Sequence, residues 1–245
     1  MLEKTFHVKS YDVYPNSTLK PSALQRYMQQ FAREDCDKMG WTYNDMRAVN
    51  MVFVLTKMGI KVNAPVSAYD ELKVRTYNNR IKGIVFTREY EFYRDGVEII
   101  HATTEWVIIN YDDRKLVRPS AFPFAIPEAN LDCASVSLPR SILGDEDFEE
   151  VGTRPVFLSD LDENDHLNNC IYSDIIMDYN PDYDRKSQYF NELYIIFRHE
   201  AKFDDVLNLK AAYKNNGHLV YHVSNETTQT PCFEAEIAFG KIQRD

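Results

Sequence analysis

The segment LKPSALQRYMQQFAREDCDKMG, from Leu19 to Gly40, contains a helix together with signals for both of its ends. Its apolar residues recur at helical spacing, and glycine commonly follows the last turn of a helix. Ser22 and Gln25 have the spacing of a capping box. The pattern predicts a helix over about 21–39. Its apolar side is formed by Leu24, Tyr27, Met28, Phe31 and Met39.

Four segments rich in β-branched and aromatic residues follow this helix, and they alternate with charged residues, as strands do. They are MVFVLTKMGIKV (51–62), ELKVRTY (71–77), IVFTREYEFYRDG (84–96) and VEIIHATTEWVIIN (97–110). Asp95-Gly96 is a typical hairpin turn. The first half of the chain therefore predicts one helix followed by an antiparallel meander.

The second half repeats this order. A helical pattern in NNCIYSDIIMDY (168–179) ends near Pro181, and four strand-like segments follow, with Asn216-Gly217 as the matching turn. The strand-like segments are LYIIFRHEAKF, VLNLKAAYKNNG, HLVYHVSNETTQ and CFEAEIAFGKI. A proline-rich and acidic stretch between the two halves indicates a connection.

This repetition predicts an α+β protein with a tandem (double) hotdog fold, in which two long helices are each wrapped by a curved antiparallel sheet. Another α+β arrangement is the alternative. The predicted organisation is an N-terminal hotdog over 1–126, an interdomain connection over 127–152 and a C-terminal hotdog over 153–245.

Composition and charge restrict the class of protein. The net charge of −10 argues against a general nucleic-acid binder, which carries a broad basic surface. No apolar run is long enough to cross a bilayer, and the first thirty residues lack an apolar signal segment, which predicts a cytoplasmic protein without stable membrane insertion. The cysteines are scattered and form no CxxC pair, so we expect reduced thiols and neither disulfides nor structural zinc. They are Cys36, Cys133, Cys170 and Cys232.

The polar segment SDLDENDHLNN, from Ser159 to Asn169, precedes the second helix. One interpretation is a solvated loop with an asparagine cap. The other is a catalytic site. In an extended segment, Asp162, Asn164 and His166 would project to one side. A histidine can act as a general base, and backbone N–H groups at the helix start, near Asn168 and Asn169, could receive an oxyanion.

The motif DLDENDHLNNCIY resembles the D-x-N-x-H-x-N-N-x-x-Y signature of the acyl-(acyl carrier protein) thioesterases of plant plastids and bacteria. LKPSALQRYMQQFA and TEWVIINYDDRKLVRPS in the first half are also similar to that family, and on this basis the chain is identified as a bacterial member. The resemblance implies hydrolysis of an acyl thioester on acyl carrier protein (ACP) to free fatty acid and holo-ACP in fatty acid biosynthesis, without a metal or an organic cofactor.

The resemblance also implies site residues. Asp162, Asn164 and His166 match the motif, and Glu200 in IIFRHEA matches a catalytic glutamate, whereas Ala201 stands where the family has a cysteine. A thiol nucleophile at that position is therefore ruled out, and Cys170 is interpreted as inert. Whether Asp162 or Glu200 acts as base or nucleophile stays open.

An apolar tunnel for the acyl chain is implied in the first hotdog, with Leu24, Met28, Phe31 and Val54 as candidate lining residues or plain core residues. Because ACP is acidic, a local basic patch is expected to dock it, and Arg114, Lys115 and Arg118 are the candidates.

Three other functions stay open: an acyl-CoA thioesterase, a hotdog hydratase or dehydratase, and a non-catalytic acyl-binding module. Either a monomer or a homodimer is compatible with a tandem hotdog.

Overall fold

The computed structural model describes residues 1–126 and 135–242. In the first half, the helices are α1 (Pro21–Lys38) and α2 (Tyr43–Ala48), and the strands are β1 (Leu2–His7), β2 (Met51–Val62), β3 (Glu71–Lys82), β4 (Val85–Arg94), β5 (Val97–Asn110) and β6 (Leu116–Val117). In the second half, the helix is α3 (Ile171–Asp178), and the strands are β7 (Glu149–Pro155), β8 (Gln188–Phe197), β9 (Val206–Tyr213), β10 (Leu219–Asn225) and β11 (Thr230–Lys241).

Within the described residues, the strands form one antiparallel sheet in the order β1-β3-β4-β5-β2-β8-β11-β10-β9-β7, with β6 paired to β5. The two halves meet where β2 pairs with β8, from Lys57 opposite Ile196 to Lys61 opposite Glu192. Leu24 of α1 and Ile175 of α3 are fully buried in the same apolar core. The repeated order of helix and meander is therefore confirmed, and it produces one continuous sheet with a helix in each half.

The predicted helix over 21–39 is confirmed as α1, but its predicted capping box is wrong. Pro21 occupies the first turn, where its missing N–H costs nothing. The N-cap residue is Lys20, and its side chain makes no capping hydrogen bond. Gln25 instead donates a hydrogen bond from its side chain to Ser173 of α3. Gly40 has a φ of 74°, the left-handed conformation that ends helices.

The prediction of two long helices is wrong for the second one. The α3 helix has only 8 residues, because its pattern begins in a turn and Pro181 disfavours helical geometry at the residue before it. The sequence interpretation also missed α2. Thr42 and Asp45 form a capping box at its start, a signal that the sequence did contain.

Both predicted hairpin turns are confirmed. Asp95 and Gly96 join β4 to β5 with positive φ values of 52° and 79°. Asn216 and Gly217 lie in the turn between β9 and β10, where Lys214 N–H donates to the carbonyl of His218 at 2.9 Å.

The described part of the connection around Leu138 packs against β2. A Cβ at Gly59 would lie 2.6 Å from Leu138 Cδ2, so a glycine there allows the connection to cross β2 closely. The predicted connection over 127–152 includes the start of β7 at Glu149. Its residues 127–134, with Cys133, lie outside the described residues. The predicted domain boundaries stay predictions.

Candidate active site

The motif before α3 forms a tight turn. Leu161 and Leu167 form an antiparallel bridge, and the Asp162 carboxylate accepts the backbone N–H groups of Asn164 at 2.8 Å and His166 at 3.3 Å. Asp165 adopts a positive φ of 62° within this turn. The expectation of an extended segment is therefore wrong, because side-chain-to-backbone bonds of the Asx type curl the chain locally. The Asp162 side chain stabilises the turn that presents its neighbours.

The residues that follow this turn lead into α3. Asn168 Oδ1 accepts the N–H of Cys170 at 2.9 Å and closes the turn before α3. The N-cap residue of α3 is Cys170, which makes no side-chain capping bond, so the predicted asparagine cap at the helix start is wrong. The N–H of Asn168 donates to the carbonyl of Asp160 at 2.9 Å. The prediction that Asn168 supplies an oxyanion donor is wrong for that reason. The N–H of Asn169 has no protein acceptor in the described part of the chain. Asn169 also lines a cavity.

His166 and Glu200 come together although they lie in different loops. His166 Nε2 is 3.3 Å from Glu200 Oε1, with His166 at the end of the turn and Glu200 shortly after β8. Arg114, in the loop after β5, donates from Nη2 to the second oxygen of Glu200. The structure therefore brings a predicted docking residue, Arg114, into contact with Glu200, the predicted catalytic residue that also faces His166.

The other predicted docking residues lie close by. Lys115 pairs with Asp113 at 2.9 Å, and both side chains are exposed. Arg118 is exposed and forms no ion pair within the described residues. Acidic neighbours thus balance most of the positive charge in the predicted patch.

A cavity of about 240 Å³ lies between α1 and strands β2 to β5. Asp162, Glu163, Asn164 and Asn169 reach it from the motif, whereas His166 and Glu200 are not among its lining residues. Most of the remaining wall is apolar or aromatic. These residues are Met28, Ala32, Trp41, Tyr43, Met46, Met51, Val52, Phe53, Leu55, Met58, Phe86, Tyr90 and Trp106.

Of the four predicted lining residues, only Met28 faces this cavity. Leu24 and Phe31 belong to the main core, and the Phe31 ring lies 5.0 Å from that of Phe6. Val54 lies between Phe53 and Leu55, and successive side chains of a strand point to opposite faces. The prediction that Leu24, Phe31 and Val54 line this cavity is therefore wrong. The α2 helix, which the sequence analysis did not predict, forms part of the cavity wall.

A buried ion pair links the cavity wall to α1. Arg88 Nη1 donates to Asp35 Oδ2 at 2.8 Å, and both side chains are almost fully buried. Burial raises the pKa of the neighbouring Cys36 thiol, although the positive charge of Arg88 opposes this shift. The charge of Arg88 is thus balanced by a carboxylate inside the protein.

Two family models match the chain: the acyl-ACP thioesterase N-terminal domain over residues 1–120 and the acyl-ACP thioesterase C-terminal domain over residues 145–241. The chain belongs to the acyl-ACP thioesterase family.

Similar proteins agree with this assignment. Oleoyl-acyl carrier protein thioesterase 2 of Arabidopsis thaliana is 24% identical over 226 residues, which cover 84% of this chain and 61% of that protein. Dodecanoyl-[acyl-carrier-protein] hydrolase of Cinnamomum camphora is 23% identical, covering 84% of this chain and 58% of the other. The chain thus spans about three fifths of the length of these relatives.

Solved structures share the fold. An acyl-ACP thioesterase from Bacteroides thetaiotaomicron has a TM-score of 0.88 at 19% identity and covers 98% of this chain and 97% of its own. The 12:0-ACP thioesterase from Umbellularia californica has a TM-score of 0.76 at 17% identity, with the same coverage. These similarities confirm the predicted double-hotdog fold.

Among residues 1–126 and 135–242, this member of the acyl-ACP thioesterase family has no accessible thiol near the motif. Ala201 is fully buried, and its carbonyl accepts the N–H of Leu167 at 2.8 Å. Burial raises the pKa of Cys170 to about 12, and it does the same for Cys232. Thiolates are the nucleophilic form of cysteine, so neither thiol is suited to attack a thioester at neutral pH.

No cluster of three or more histidine, cysteine or carboxylate residues suited to a metal occurs in residues 1–126 and 135–242. Among the same residues, no helix is long and apolar enough to cross a membrane.

Proposed function

We propose that this protein hydrolyses an acyl thioester carried on ACP and releases a free fatty acid and the carrier thiol. One observation carries the proposal. A single turn places Asp162 and Asn164 in the wall of an apolar cavity and places His166 beside Glu200. An apolar cavity with a few converging polar groups is the usual form of a small-molecule site. We also propose a cytoplasmic location.

His166 is the proposed general base. With Nε2 facing Glu200 and carrying the ring proton, Nδ1 can accept a proton from a water molecule as that water attacks the thioester carbon. Glu200 then stabilises the imidazolium. When the carbon–sulfur bond breaks, the imidazolium returns the proton to the departing thiolate. The products are a fatty acid and the carrier thiol.

Asp162 has a positioning role in this proposal. Its carboxylate accepts the N–H groups of Asn164 and His166, and these bonds hold it in the turn rather than against a thioester carbonyl. We therefore assign the base to His166 rather than a covalent anhydride to Asp162.

The oxyanion of the tetrahedral intermediate requires hydrogen-bond donors. The N–H of Asn169 and the side-chain amide of Asn164 are the proposed donors, because both residues line the cavity beside the turn. Asn168 is excluded from this role by its bond to Asp160.

The proposed acyl-binding residue on α1 is Met28. It replaces the candidates Leu24, Phe31 and Val54, which lie outside the cavity. Arg118 is the part of the predicted docking patch that we keep for ACP, since Arg114 and Lys115 are already paired.

Substrate class and reaction type are tested together. Purified protein is incubated with dodecanoyl-ACP, dodecanoyl-CoA and trans-2-dodecenoyl-ACP, and both free acid and free thiol are measured. Equal release of acid and thiol from the carrier-bound substrate supports the proposal, and preferential release from the CoA thioester favours an acyl-CoA thioesterase. Hydration of the enoyl substrate without thiol release favours a hydratase, whereas binding without any turnover favours the acyl-binding module.

A further inference from the structure

Three residues that line the cavity each carry a buried hydrogen-bond donor with no protein acceptor within the described residues. These donors are Trp41 Nε1, Arg47 Nη1 and Asn78 Nδ2. Trp41 is only 3% exposed, so water outside the protein does not reach its indole N–H. A buried donor without a partner carries the full cost of its desolvation. All three groups are donors, and they therefore match a ligand that brings acceptors.

Asn78 belongs to a polar row that crosses the floor of the cavity. It lies opposite Arg88 on the neighbouring strand, and Arg88 lies opposite Thr104 on the next. Residues directly opposite one another in an antiparallel pair share one face of the sheet. Thr104 is already engaged, because its Oγ1 accepts Trp106 Nε1 at 2.8 Å and donates to the Arg88 carbonyl at 3.3 Å. Asn78 is thus the member of the row that still offers a free donor.

The charge of Arg88 is balanced by a carboxylate of α1. Its Nη1 donates to Asp35 at 2.8 Å and to Thr76 Oγ1 at 3.1 Å. The Asn78 amide is itself uncharged, so a carboxylate buried beside it would gain no ion pair from Asn78 and would carry a high desolvation cost. Next to Asn78 the cavity therefore favours a neutral acceptor, such as a hydroxyl or oxo oxygen, over an acid group.

Contacts along α1 give the depth of the polar row. Cys170, at the start of α3, lies 3.4 Å from Gln29, whereas Arg88 lies 3.6 Å from Cys36. Gln29 and Cys36 are separated by two helical turns, which correspond to about 10 Å at 1.5 Å per residue. The row therefore lies well beyond the motif, beside the middle or far part of a bound acyl chain rather than its thioester.

We propose that the preferred acyl group carries a hydroxyl or oxo oxygen several carbons from the thioester, and that Asn78 Nδ2 donates a hydrogen bond to this oxygen. The inference rests on the proposed thioesterase function and narrows its substrate class. Trp41 and Arg47 supply further donors in the same cavity. A site built to bond a substrate oxygen rejects an analogue that lacks it, because the donor of the site is then left unpaired.

The test compares dodecanoyl-ACP with its 3-hydroxy, 8-hydroxy and 12-hydroxy derivatives and with 8-oxododecanoyl-ACP. The account predicts that at least one chain with a distant oxygen has kcat/KM higher than plain dodecanoyl-ACP by at least about tenfold, whereas the 3-hydroxy chain gains nothing. Asn78→Leu, which is close in size, should reduce this ratio to about one. The matched control is Asn79→Leu, since Asn79 donates to Glu89 on the other face at 3.0 Å and should leave the ratio unchanged.

Binding of the corresponding free acids is measured in parallel by calorimetry, so that turnover is not required for a decision. Tighter binding of a distant-hydroxy acid to the wild type than to Asn78→Leu supports the inference. Equal or weaker rates and affinities for every oxygenated chain overturn it, as does an undiminished preference in a folded Asn78→Leu protein. Hydrolysis of plain chains alone would overturn this inference and leave the thioesterase function intact. Tighter binding of the hydroxy acid without any hydrolysis would support a site for the oxygen and overturn the thioesterase function.

Discussion

Glu200 is held between His166 and Arg114: its Oε1 lies 3.3 Å from His166 Nε2, and its Oε2 accepts a hydrogen bond from Arg114. These three residues come from loops after β8, before α3 and after β5, respectively. Glu200 therefore connects the two halves of the molecule at the proposed base. This arrangement gives Glu200 and Arg114 separable effects on catalysis.

Glu200→Gln should lower kcat about 10- to 100-fold and leave KM nearly unchanged, because the imidazolium of His166 loses the negative charge that stabilises it. Hydrolysis of dodecanoyl-ACP under saturating and limiting substrate provides the measurement. His199→Ala is the control, since the His199 ring lies 2.8 Å from the carbonyl of Pro231 and outside the pair. A Glu200→Gln enzyme with wild-type kcat would exclude this role for Glu200.

Arg114→Met should lower kcat about twofold to fivefold, the range expected for loss of one partly exposed ion pair that orients Glu200. The split between kcat and KM decides between orientation and carrier docking. A docking residue would raise KM for the carrier-bound substrate and leave kcat intact, which is the result that contradicts the assignment. Lys115→Met is the control, because its pair with Asp113 does not include Glu200.

A second buried network gives a prediction on pH. Burial opposes ionisation of Glu89, but hydrogen bonds from His101, Ser135, Thr103 and Asn79 outweigh it and lower the pKa of Glu89 from its ordinary 4.5. Burial likewise opposes protonation of His101, but hydrogen bonds to Glu89 and Glu98 raise the pKa of His101 above its ordinary 6.5.

The signs of these two shifts define a pH window. A lowered carboxyl pKa contributes stability above pH 4.5 that is lost as the pH falls through the folded value, and a raised histidine pKa contributes stability below pH 6.5 that is lost as the pH rises through the folded value. His101→Gln should therefore lower Tm most between pH 4.5 and 6.5, by at least about 2–4 °C. The difference should shrink in alkaline buffer. Thermal melts of the wild type and His101→Gln from acidic to alkaline pH measure this difference in Tm, with a change at the exposed His7, His7→Gln, as control. A Tm difference that does not vary with pH would refute the prediction.

Gly59→Ala should destabilise the fold by about 1–3 kcal/mol, because the added methyl would lie 2.6 Å from Leu138 Cδ2 and would force the connection away from β2. Denaturant unfolding measures the loss. Leu138→Ala in the same chain should restore part of it by making room for the methyl. If the double variant is destabilised by the sum of the two single changes, the proposed contact does not cause the effect.

Local signals were sufficient for much of the fold. Helical spacing and the stop signal at Gly40 predicted α1, although the capping box expected at Ser22 and Gln25 is absent. Asp95-Gly96 predicted the hairpin between β4 and β5, because a turn of this kind also depends on residues near in sequence. The repeat of this order then predicted the double hotdog. The Thr42–Asp45 capping box carried the same kind of local signal for α2 and was overlooked.

The details of the site depended on contacts that sequence spacing does not encode. Periodicity identified Met28 and Phe31 alike as apolar, but only packing against Phe6 places Phe31 in the main core. The motif was expected to be extended, yet the Asp162 carboxylate binds its own backbone and closes a turn. The contact of Arg114 with Glu200 joins loops from opposite halves of the chain, so the local charge pattern could not predict it.

The most direct measurement is the release of fatty acid and carrier thiol from dodecanoyl-ACP by the wild type, His166→Ala and His199→Ala, with folding of each protein checked by circular dichroism. The account predicts equal amounts of acid and thiol from the wild type and from His199→Ala, and at least about a 100-fold lower rate from a folded His166→Ala protein. A folded His166→Ala protein that retains the wild-type rate would contradict the assignment of His166 as the base on which the proposed hydrolysis depends.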